Sequence, residues 1–317
     1  MNKTPKQGIL MFAHNNQEIN YLELAVLNGL MAQKHLGITT EQVTIVTDQS
    51  SLDFCKSYMD KELDKAANYI VVDTDFMFKH SNTRLFKDTQ HSPKVLPFYN
   101  INRCDAYDLS PYQETIMVDA DYLIMSDALN NCWAHNNELM MNWEYSDVMS
   151  TREFPELARL NPLGITMYWA TVVYFRKTPE VETFFNMVRH VKDNREYYCE
   201  LYKYNDGVYR NDYSFSIAAH QWGGFHDKGV AQLPVKVYKT FDNDDIYKME
   251  GQSMYLYLEK PRSPGDFMLT KWDGIDIHIM NKWALGRISK GIREYINSDP
   301  EPRTTEWVIK RTEEAES

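Results

Sequence analysis

A short apolar run that ends in two closely spaced carboxylates constrains this chain more than any other feature. Thr115 to Val118, within SPYQETIMVDADYLIMSD, is too short for an amphipathic helix and predicts an inner strand covered on both faces. Asp119 and Asp121 follow where that strand ends, and ligands bind at this end of strands in open α/β sheets. Two carboxylates so spaced can share Mg²⁺ or Mn²⁺. The pattern predicts a site for a metal and a diphosphate, and a solvated strand end is the alternative.

Two earlier strands are predicted to deliver polar side chains to the same edge of the sheet. The run at residues 7–13 (QGILMFA) is followed by His14 and Asn15, and the run at 43–46 is followed by Thr47 and Asp48. An apolar helical repeat separates the two runs, so the segment is predicted to be β-α-β. Hydrogen-bonding side chains at neighbouring strand ends suit a nucleoside. The sequence lacks the G-x-G-x-x-G dinucleotide fingerprint after the first strand.

A second Asp-x-Asp pair competes with the first. Asp73 and Asp75 follow the apolar run at 69–72. The basic residues that come next are typical of a loop, so a solvated turn is the favoured interpretation of this pair.

Arg103 lies sixteen residues before Asp119, in a segment predicted to be a helix that leads to the central strand. A guanidinium group there can bind a phosphate with two hydrogen bonds. The alternative is a surface ion pair with Asp105 or Asp108.

Two later segments add candidate residues. The run at 165–175 is rich in β-branched and aromatic residues and predicts a core strand, in which Tyr168 and Trp169 either pack or stack on a sugar. Asn211 and Asp212 precede a predicted helix, where an acidic residue interacts well with the helix dipole or simply caps the helix.

The last informative segment is IDIHIMNKWALGRI, in which Lys282 follows His278 by four residues. An imidazole can ligate a cation, and a nearby ammonium group can bind phosphates on that cation. A histidine that is simply satisfied in the core is the alternative interpretation.

Length and composition describe an ordinary globular protein of 317 residues, with 43% apolar and 25% charged residues. Residues 1–298 are predicted to form one large domain, followed by a charged tail or peripheral helix at 299–317. The four cysteines form no C-x-x-C pair, which argues against a zinc knuckle. No stretch resembles a signal peptide or has the length of a membrane span, so a cytoplasmic protein with no membrane partner is expected.

The formal net charge is -11, which gives no general reason to bind nucleic acid. The charge is uneven, because residues 228–293 hold 11 Lys and Arg against 8 Asp and Glu. Lys271, Arg287, Lys290 and Arg293 could therefore receive a polyanion, or they are solvated charges on a surface helix.

These segments, in this order, resemble the GT-A glycosyltransferases, and within them the glycogenin-like and bacterial galactosyltransferase-like family 8. The resemblance covers roughly residues 8 to 290, and its most specific part is VDADYL combined with the late His278 and Lys282. It implies an α/β fold with a mixed, mostly parallel, Rossmann-like sheet and helices on both faces. The family's Asp-Gln dipeptide is Asn211-Asp212 here. The run YNINRCDAYDLSPY is also similar to nucleotide-sugar transferases of tailed phages.

The resemblance implies a role for each candidate residue. Asp119, Asp121 and His278 would hold Mn²⁺ or Mg²⁺ on the diphosphate of a UDP-sugar donor. The remaining roles are diphosphate binding by Arg103 and Lys282, nucleotide binding by Ala13, His14, Asn15, Asp48 and Arg84, and a position beside the anomeric carbon for Asp212 with Asn211.

The favoured hypothesis is a metal-dependent, retaining glycosyltransferase that moves a sugar from a nucleotide-diphosphate donor to an acceptor hydroxyl. The acceptor is open: a glycan, a small molecule, or 5-hydroxymethylcytosine in phage DNA. A noncatalytic module that binds sugar nucleotides or glycans is the alternative from another class. A sugar nucleotidyltransferase is disfavoured, because it would need a glycine-rich first loop after Ala13.

Overall fold

The computed structural model describes residues 5–73, 83–87, 93–150, 152, 158–161, 164–204 and 209–298, with the backbone alone at 83–87 and 93. The strands are β1 Gln7–Phe12, β2 Val43–Thr47, β3 Asn68–Val71, β4 Thr83–Lys87, β5 Pro93–Pro97, β6 Glu114–Asp119, β7 Tyr122–Leu123, β8 Leu139–Asn142, β9 Ser146–Asp147, β10 Trp169–Arg176, β11 Ala231–Gln232, β12 Tyr238–Lys239, β13 Asp245–Glu250, β14 Ser253–Glu259, β15 Phe267–Asp273 and β16 Ile277–His278. The helices are α1 Tyr21–Leu36, α2 Gln49–Ala66, α3 Ala106–Leu109, α4 Pro179–Asp193, α5 Arg195–Tyr202, α6 Asn211–Trp222, α7 Lys282–Arg287 and α8 Ser289–Asn297. Short 3-10 helices lie at Thr40–Gln42, Arg103–Asp105 and Ala128–Ala134.

The main sheet has the strand order β11-β8-β10-β6-β1-β2-β3. β6, β1, β2 and β3 are parallel, and β10 is antiparallel to both of its neighbours. Within β1, Ile9 and Met11 join one apolar cluster with α1 and α2, whereas Leu10 and Phe12 join another with α4 and α6. Because successive strand side chains point to opposite faces, helices cover both faces of the sheet. The predicted mixed, mostly parallel α/β sheet is therefore confirmed.

The predicted β-α-β start of the chain is also confirmed. Asn20 caps α1 by accepting a hydrogen bond from the backbone N–H of Glu23 at 3.1 Å. The helix ends before Gly37, which takes a left-handed conformation with φ of 69° that glycine adopts at little cost. Asp48 caps α2 through the backbone N–H of Ser51 at 2.8 Å.

Three smaller sheets complete the fold of the described residues. One has the order β7-β16-β12-β9, the second is the antiparallel meander β13-β14-β15, and the third is the antiparallel pair β4-β5. Buried Arg152 joins β9 to the loop before β13, because its guanidinium binds Asp147 at 2.5 and 2.8 Å and Asp244 at 2.7 and 2.9 Å. The side chain of Phe241 lies against the same guanidinium group.

One strand begins later than predicted. Strand structure was expected from Ile165, but β10 starts at Trp169. The backbone N–H of Thr166 donates to Asp227 Oδ1 at 3.0 Å, and that of Tyr168 donates to Ser216 Oγ at 2.7 Å. These donors are satisfied by side chains, so they are not available to a strand ladder.

Some predictions remain untested. The domain boundary at residue 298 stays a prediction, and the tail at 299–317 lies outside the described residues. Among the residues that the structure covers, no helix combines the length and the apolarity that a membrane crossing needs.

Gly8→Ala is expected to destabilise the protein, because an added Cβ would lie 2.4 Å from the ring of Tyr112. That ring cannot easily move, since its hydroxyl hydrogen-bonds Thr44 at 2.8 Å and the carbonyl of Glu41 at 3.1 Å. Overpacking of this kind costs about 1–3 kcal/mol of unfolding free energy. Urea unfolding measures the loss. The control is Gly286→Ala in α7, where no atom lies within 4 Å of the added Cβ; an equal loss in both variants would contradict the steric explanation.

Candidate active site

Asp119 and Asp121 lie together at the carboxyl end of the central strand β6, as the sequence predicts. Asp119 is the last residue of β6, and both carboxylates are buried, at 8% and 6% exposure. Burying two negative charges is unfavourable unless other groups compensate for the lost hydration. The surroundings of this pair therefore decide what the site can bind.

His278 reaches the same point from the far end of the chain. It lies on β16, which pairs with β7 so that His278 is opposite Tyr122. Its Nε2 lies 3.4 Å from Asp121 Oδ1 and 3.8 Å from Asp119 Oδ2. Its Nδ1 lies 3.3 Å from the hydroxyl oxygen of Thr171. The ring is thus oriented by a hydroxyl group on one side and faces two carboxylates on the other.

Two cationic side chains contact the carboxylates directly. Arg103 forms an ion pair with Asp119 and also donates to the carbonyl of Ala170 at 3.2 Å. Lys282 Nζ lies 2.6 Å from Asp121 Oδ2. The predicted alternative for Arg103, an ion pair with Asp105 or Asp108, is not what the structure has, since Arg189 binds both of those carboxylates.

The two carboxyl groups differ in acidity. Burial raises the pKa of Asp119 above its ordinary value, and the charge of Arg103 offsets only part of that effect. Burial acts on Asp121 in the same direction, but the charges of Lys282 and His278 outweigh it and lower its pKa. Asp121 is therefore the more strongly ionised member of the pair.

The three side chains have the donor set of a divalent cation site. One ligand atom from each of Asp119, Asp121 and His278 lies within 4.8 Å of the others. Ligands about 2.1 Å from a shared cation lie roughly 3 to 4 Å from one another, so this cluster fits such an ion. The hydroxyl of Thr171 lies at the other ring nitrogen, where a hydrogen-bonding partner orients a metal-binding histidine.

The carboxylates line a cavity at the carboxyl end of β6. Its walls are Phe12, Tyr21, Phe98, Asn100, Arg103, Asp119, Ala120, Asp121, Trp169, Thr171, Arg210, Asn211, Asp212, His278, Met280 and Lys282. Five separate regions of the chain thus meet around the end of β6.

Asn211 and Asp212 line this cavity, but neither caps the helix that follows. α6 begins at Asn211, and Arg210, which precedes it at the N-cap position, makes no capping hydrogen bond with its side chain. Asp212 accepts from the backbone N–H of Ala170 at 2.9 Å and from Arg210 at 2.7 and 3.1 Å. Asn211 donates to the carbonyl of Asn100 at 2.9 Å. The simple N-cap alternative is therefore wrong.

The residues predicted to bind the nucleoside cluster beside the cavity. His14 Nδ1 lies 3.1 Å from Asp48 Oδ2, and the backbone N–H of His14 donates to Asn100 Oδ1 at 2.9 Å. Ala13 is held between β1 and β2 by its N–H to Val46, and Asn15 Oδ1 accepts from Leu22 N. Their roles toward a ligand stay predictions.

Two predictions fall wholly or partly outside the described residues. Arg84 belongs to strand β4, but only its backbone is described, so the position of its side chain is not. Asp73 is exposed after β3, and Asp75 lies outside the described residues.

Lys239 packs against the cavity wall at Trp169, and the sequence did not reveal it. It is 3% exposed, and its Nζ lies 4.5, 4.7 and 4.9 Å from the ring centres of Trp169, Tyr145 and Phe241. Burial and the nearby charge of Arg210 lower the pKa of Lys239 to about 7. A single lysine between valine, tyrosine and threonine carries no motif, so sequence patterns could not identify it.

Comparisons with known proteins give a limited result. No family model matches the chain, and no curated protein matches it. A galactosyltransferase, LgtC, solved with donor and acceptor sugar analogs, is 13% identical with a TM-score of 0.46, over 96% of this chain and 100% of its own. Mouse xyloside xylosyltransferase 1 is 12% identical with a TM-score of 0.41, over 70% of this chain and 84% of its own. A putative glucose-1-phosphate thymidylyltransferase from Bacillus anthracis is 9% identical with a TM-score of 0.39, over 93% of this chain and 97% of its own. Similarity at this level supports no inference about activity.

Lys239→Met is expected to change how stability depends on pH. The folded protein lowers the pKa of Lys239 to about 7, so between that pH and the ordinary lysine pKa the unfolded chain holds the extra proton. Stability contributed through this group therefore rises with pH in that window, by at most about 1.4 kcal/mol per pH unit. Urea unfolding of both proteins from pH 6 to 10 should show that the free energy of unfolding of the wild type increases relative to that of the variant as the pH rises. A constant difference across that range would contradict the lowered pKa.

Proposed function

We propose that this protein is a metal-dependent glycosyltransferase that moves a sugar from a nucleotide-diphosphate donor, a UDP-sugar, to an acceptor hydroxyl. One observation carries the proposal. Asp119, Asp121 and His278 lie in one cavity, together with the cationic side chains of Arg103 and Lys282. Carboxylates and imidazole can hold a hard divalent ion, and guanidinium and ammonium groups can bind phosphate oxygens. A diphosphate leaving group needs both kinds of partner.

The reaction breaks the bond between the anomeric carbon and the diphosphate oxygen and forms a bond from that carbon to the acceptor oxygen. A Mn²⁺ or Mg²⁺ ion held by Asp119, Asp121 and His278 would supply positive charge against the diphosphate. Arg103 and Lys282 can exchange their present carboxylate partners for phosphate oxygens and stabilise the negative charge that develops there. The departing diphosphate can accept the proton of the acceptor hydroxyl.

We propose retention of configuration, with the acceptor attacking on the face that the diphosphate leaves. Asp212 and Asn211 lie in the cavity wall and would support the positive charge at the anomeric carbon. Both oxygens of Asp212 already accept hydrogen bonds from Ala170 and Arg210, which favours electrostatic support over covalent attack. His14, Asn15, Asp48 and Ala13, beside the cavity, would hold the nucleoside.

The surface charges favour a glycan or a small molecule as acceptor over duplex DNA. The basic residues of the predicted polyanion surface are each close to a carboxylate. The ion pairs are Lys271–Asp273 at 3.6 Å, Arg287–Asp245 at 2.7 Å, Lys290–Glu294 at 3.8 Å, and Arg293 with Glu62 at 2.9 Å and Glu23 at 2.8 Å. Such pairs reduce the attraction that a phosphate backbone would feel. 5-Hydroxymethylcytosine in DNA is thus the less favoured acceptor.

Asp121→Asn and His278→Ala are expected to abolish Mn²⁺-dependent UDP binding, because each removes one ligand of the proposed ion. The wild type should bind UDP in calorimetric titrations with Mn²⁺ and release UDP from a UDP-sugar in a screen of donors. Asp127→Asn is the control, since Asp127 is exposed and outside the cavity. Unchanged UDP affinity in both site variants would rule out this metal site. UDP binding by the wild type with no turnover of any donor would favour the noncatalytic binding module.

Lys282→Ala is expected to weaken UDP far more than uridine, since Lys282 would contact the phosphates and not the nucleoside. A charge-assisted hydrogen bond contributes about 1.5–3 kcal/mol, so UDP affinity should fall roughly ten- to a hundredfold. Calorimetric titration of both ligands, with Mn²⁺ present, makes the comparison. Equal weakening of UDP and uridine would mean that Lys282 acts only through its ion pair with Asp121.

A further inference from the structure

Trp169 carries a buried hydrogen-bond donor for which the described residues provide no acceptor. It is the first residue of β10, and it lines the cavity that holds Asp119 and Asp121. Its indole Nε1 makes no hydrogen bond within the part of the chain that the structure describes. A buried donor without an acceptor costs about 1–3 kcal/mol. Because this donor belongs to a residue of the cavity wall, a ligand in the cavity can supply the acceptor.

The indole ring itself is already in contact with protein groups. Lys239 Nζ lies over the ring, 4.5 Å from its centre, and the guanidinium carbon of Arg210 lies 5.6 Å from the same centre. The ring of Tyr145 meets it edge to face, with 5.2 Å between the ring centres. These contacts pack the ring, so stacking on a sugar, the alternative that the sequence left open, is disfavoured. The N–H is therefore the group that Trp169 can offer to a ligand.

The backbone next to Trp169 indicates which part of a ligand this donor would meet. The carbonyl of Ala170 accepts from Arg103 at 3.2 Å, and the N–H of Ala170 donates to Asp212 Oδ1 at 2.9 Å. In the proposed function Arg103 binds the diphosphate and Asp212 lies beside the anomeric carbon. The part of a UDP-sugar between these two groups is the start of its sugar ring. Trp169 thus lies next to the place of that ring.

The charges around the indole ring favour a neutral acceptor on the ligand. Two cationic side chains and two carboxylates interact here, namely Lys239, Arg210, Asp212 and Asp242. Their formal charges match in number, so the surroundings of Trp169 need no further anion. An indole N–H is a donor only, and its partner must be an acceptor. A sugar hydroxyl oxygen is such an acceptor and carries no charge.

We propose that the indole N–H of Trp169 donates a hydrogen bond to a hydroxyl oxygen on the sugar of the donor, and that this contact selects which sugar is transferred. The inference rests on the proposed function, because the UDP-sugar brings this hydroxyl group into the cavity. Donor sugars differ in which ring carbons carry a hydroxyl group and in the direction of that group. A site with a fixed donor discriminates against a sugar that leaves the donor unpaired.

The test compares UDP with UDP-sugars in calorimetric titrations of the full chain with Mn²⁺ present. Trp169→Phe keeps an aromatic ring and removes the N–H. UDP lacks the transferred sugar, so its affinity should be unchanged in the variant. The UDP-sugar that the wild type binds best should bind about three- to tenfold more weakly, because one hydrogen bond is lost. Unchanged affinity for that UDP-sugar would overturn the proposal. An equal loss for UDP and for the UDP-sugar would also overturn it, since Trp169 would then be merely structural.

Trp133→Phe is the matched control. Trp133 also meets a tyrosine ring edge to face, that of Tyr174, with 5.9 Å between the ring centres, but it lies outside the cavity wall. The control should bind UDP and the UDP-sugar as the wild type does. A selective loss of UDP-sugar affinity in Trp133→Phe as large as that in Trp169→Phe would refute a specific contact. Urea unfolding of each sample verifies that the variants are folded.

Deoxy analogues of the UDP-sugar test the same contact in the wild type. Each analogue lacks a different hydroxyl group, and the loss of the one that accepts from Trp169 should weaken binding. If every analogue binds the wild type as tightly as the parent UDP-sugar does, the proposal is overturned. In Trp169→Phe the removal of that hydroxyl group should have little further effect, because two changes to one contact are not additive. Losses that add fully for every analogue would contradict the contact.

The outcome is separable from that of the proposed function. If the wild type binds neither UDP nor any UDP-sugar with Mn²⁺, the glycosyltransferase proposal fails, and the assignment of Trp169 fails with it. If the wild type binds both and Trp169→Phe keeps the same ratio of the two affinities, only the assignment of Trp169 fails.

Discussion

The structure depends on neutralising two carboxylates at the buried end of one strand. Asp119 and Asp121 lose most of their hydration there, and each needs a partner to make the burial tolerable. Arg103 comes from the short 3-10 helix that precedes α3, whereas His278 and Lys282 come from more than 150 residues after the carboxylates. The charge requirement therefore connects the C-terminal part of the chain to the N-terminal sheet, and it gathers a guanidinium group, an ammonium group and an imidazole around the two carboxylates.

Much of this arrangement could be predicted from the sequence, because its signals are local. A short apolar run followed by carboxylates predicted both β6 and the edge at which Asp119 and Asp121 lie. The parallel strands β1 and β2 before it were predicted in the same way, and β1 ends at Phe12 in the cavity wall. His278 and Lys282 were identified by their spacing and by the family resemblance, and the structure brings both to the carboxylates.

The rest depends on contacts between distant segments, which leave no local pattern. The late start of β10 results from side chains of Asp227 and Ser216 that take its backbone donors. Asp212 was placed by its position before a helix, yet its partners are Arg210 and the backbone of Ala170. Lys239 has no signal of its own, since its cage is made by rings from three separate segments.

The ion pairs of Arg152 with Asp147 and Asp244 limit how this sequence can vary. The guanidinium of Arg152 binds both Asp147 and Asp244, so loss of the arginine would leave two negative charges buried side by side. Loss of either acid leaves a neutral pair. Relatives of this chain can therefore lose one acid first, but a chain that loses the arginine first passes through an unstable intermediate. Evolutionary drift at these three positions has a preferred order, in which Arg152 is the last to be replaced.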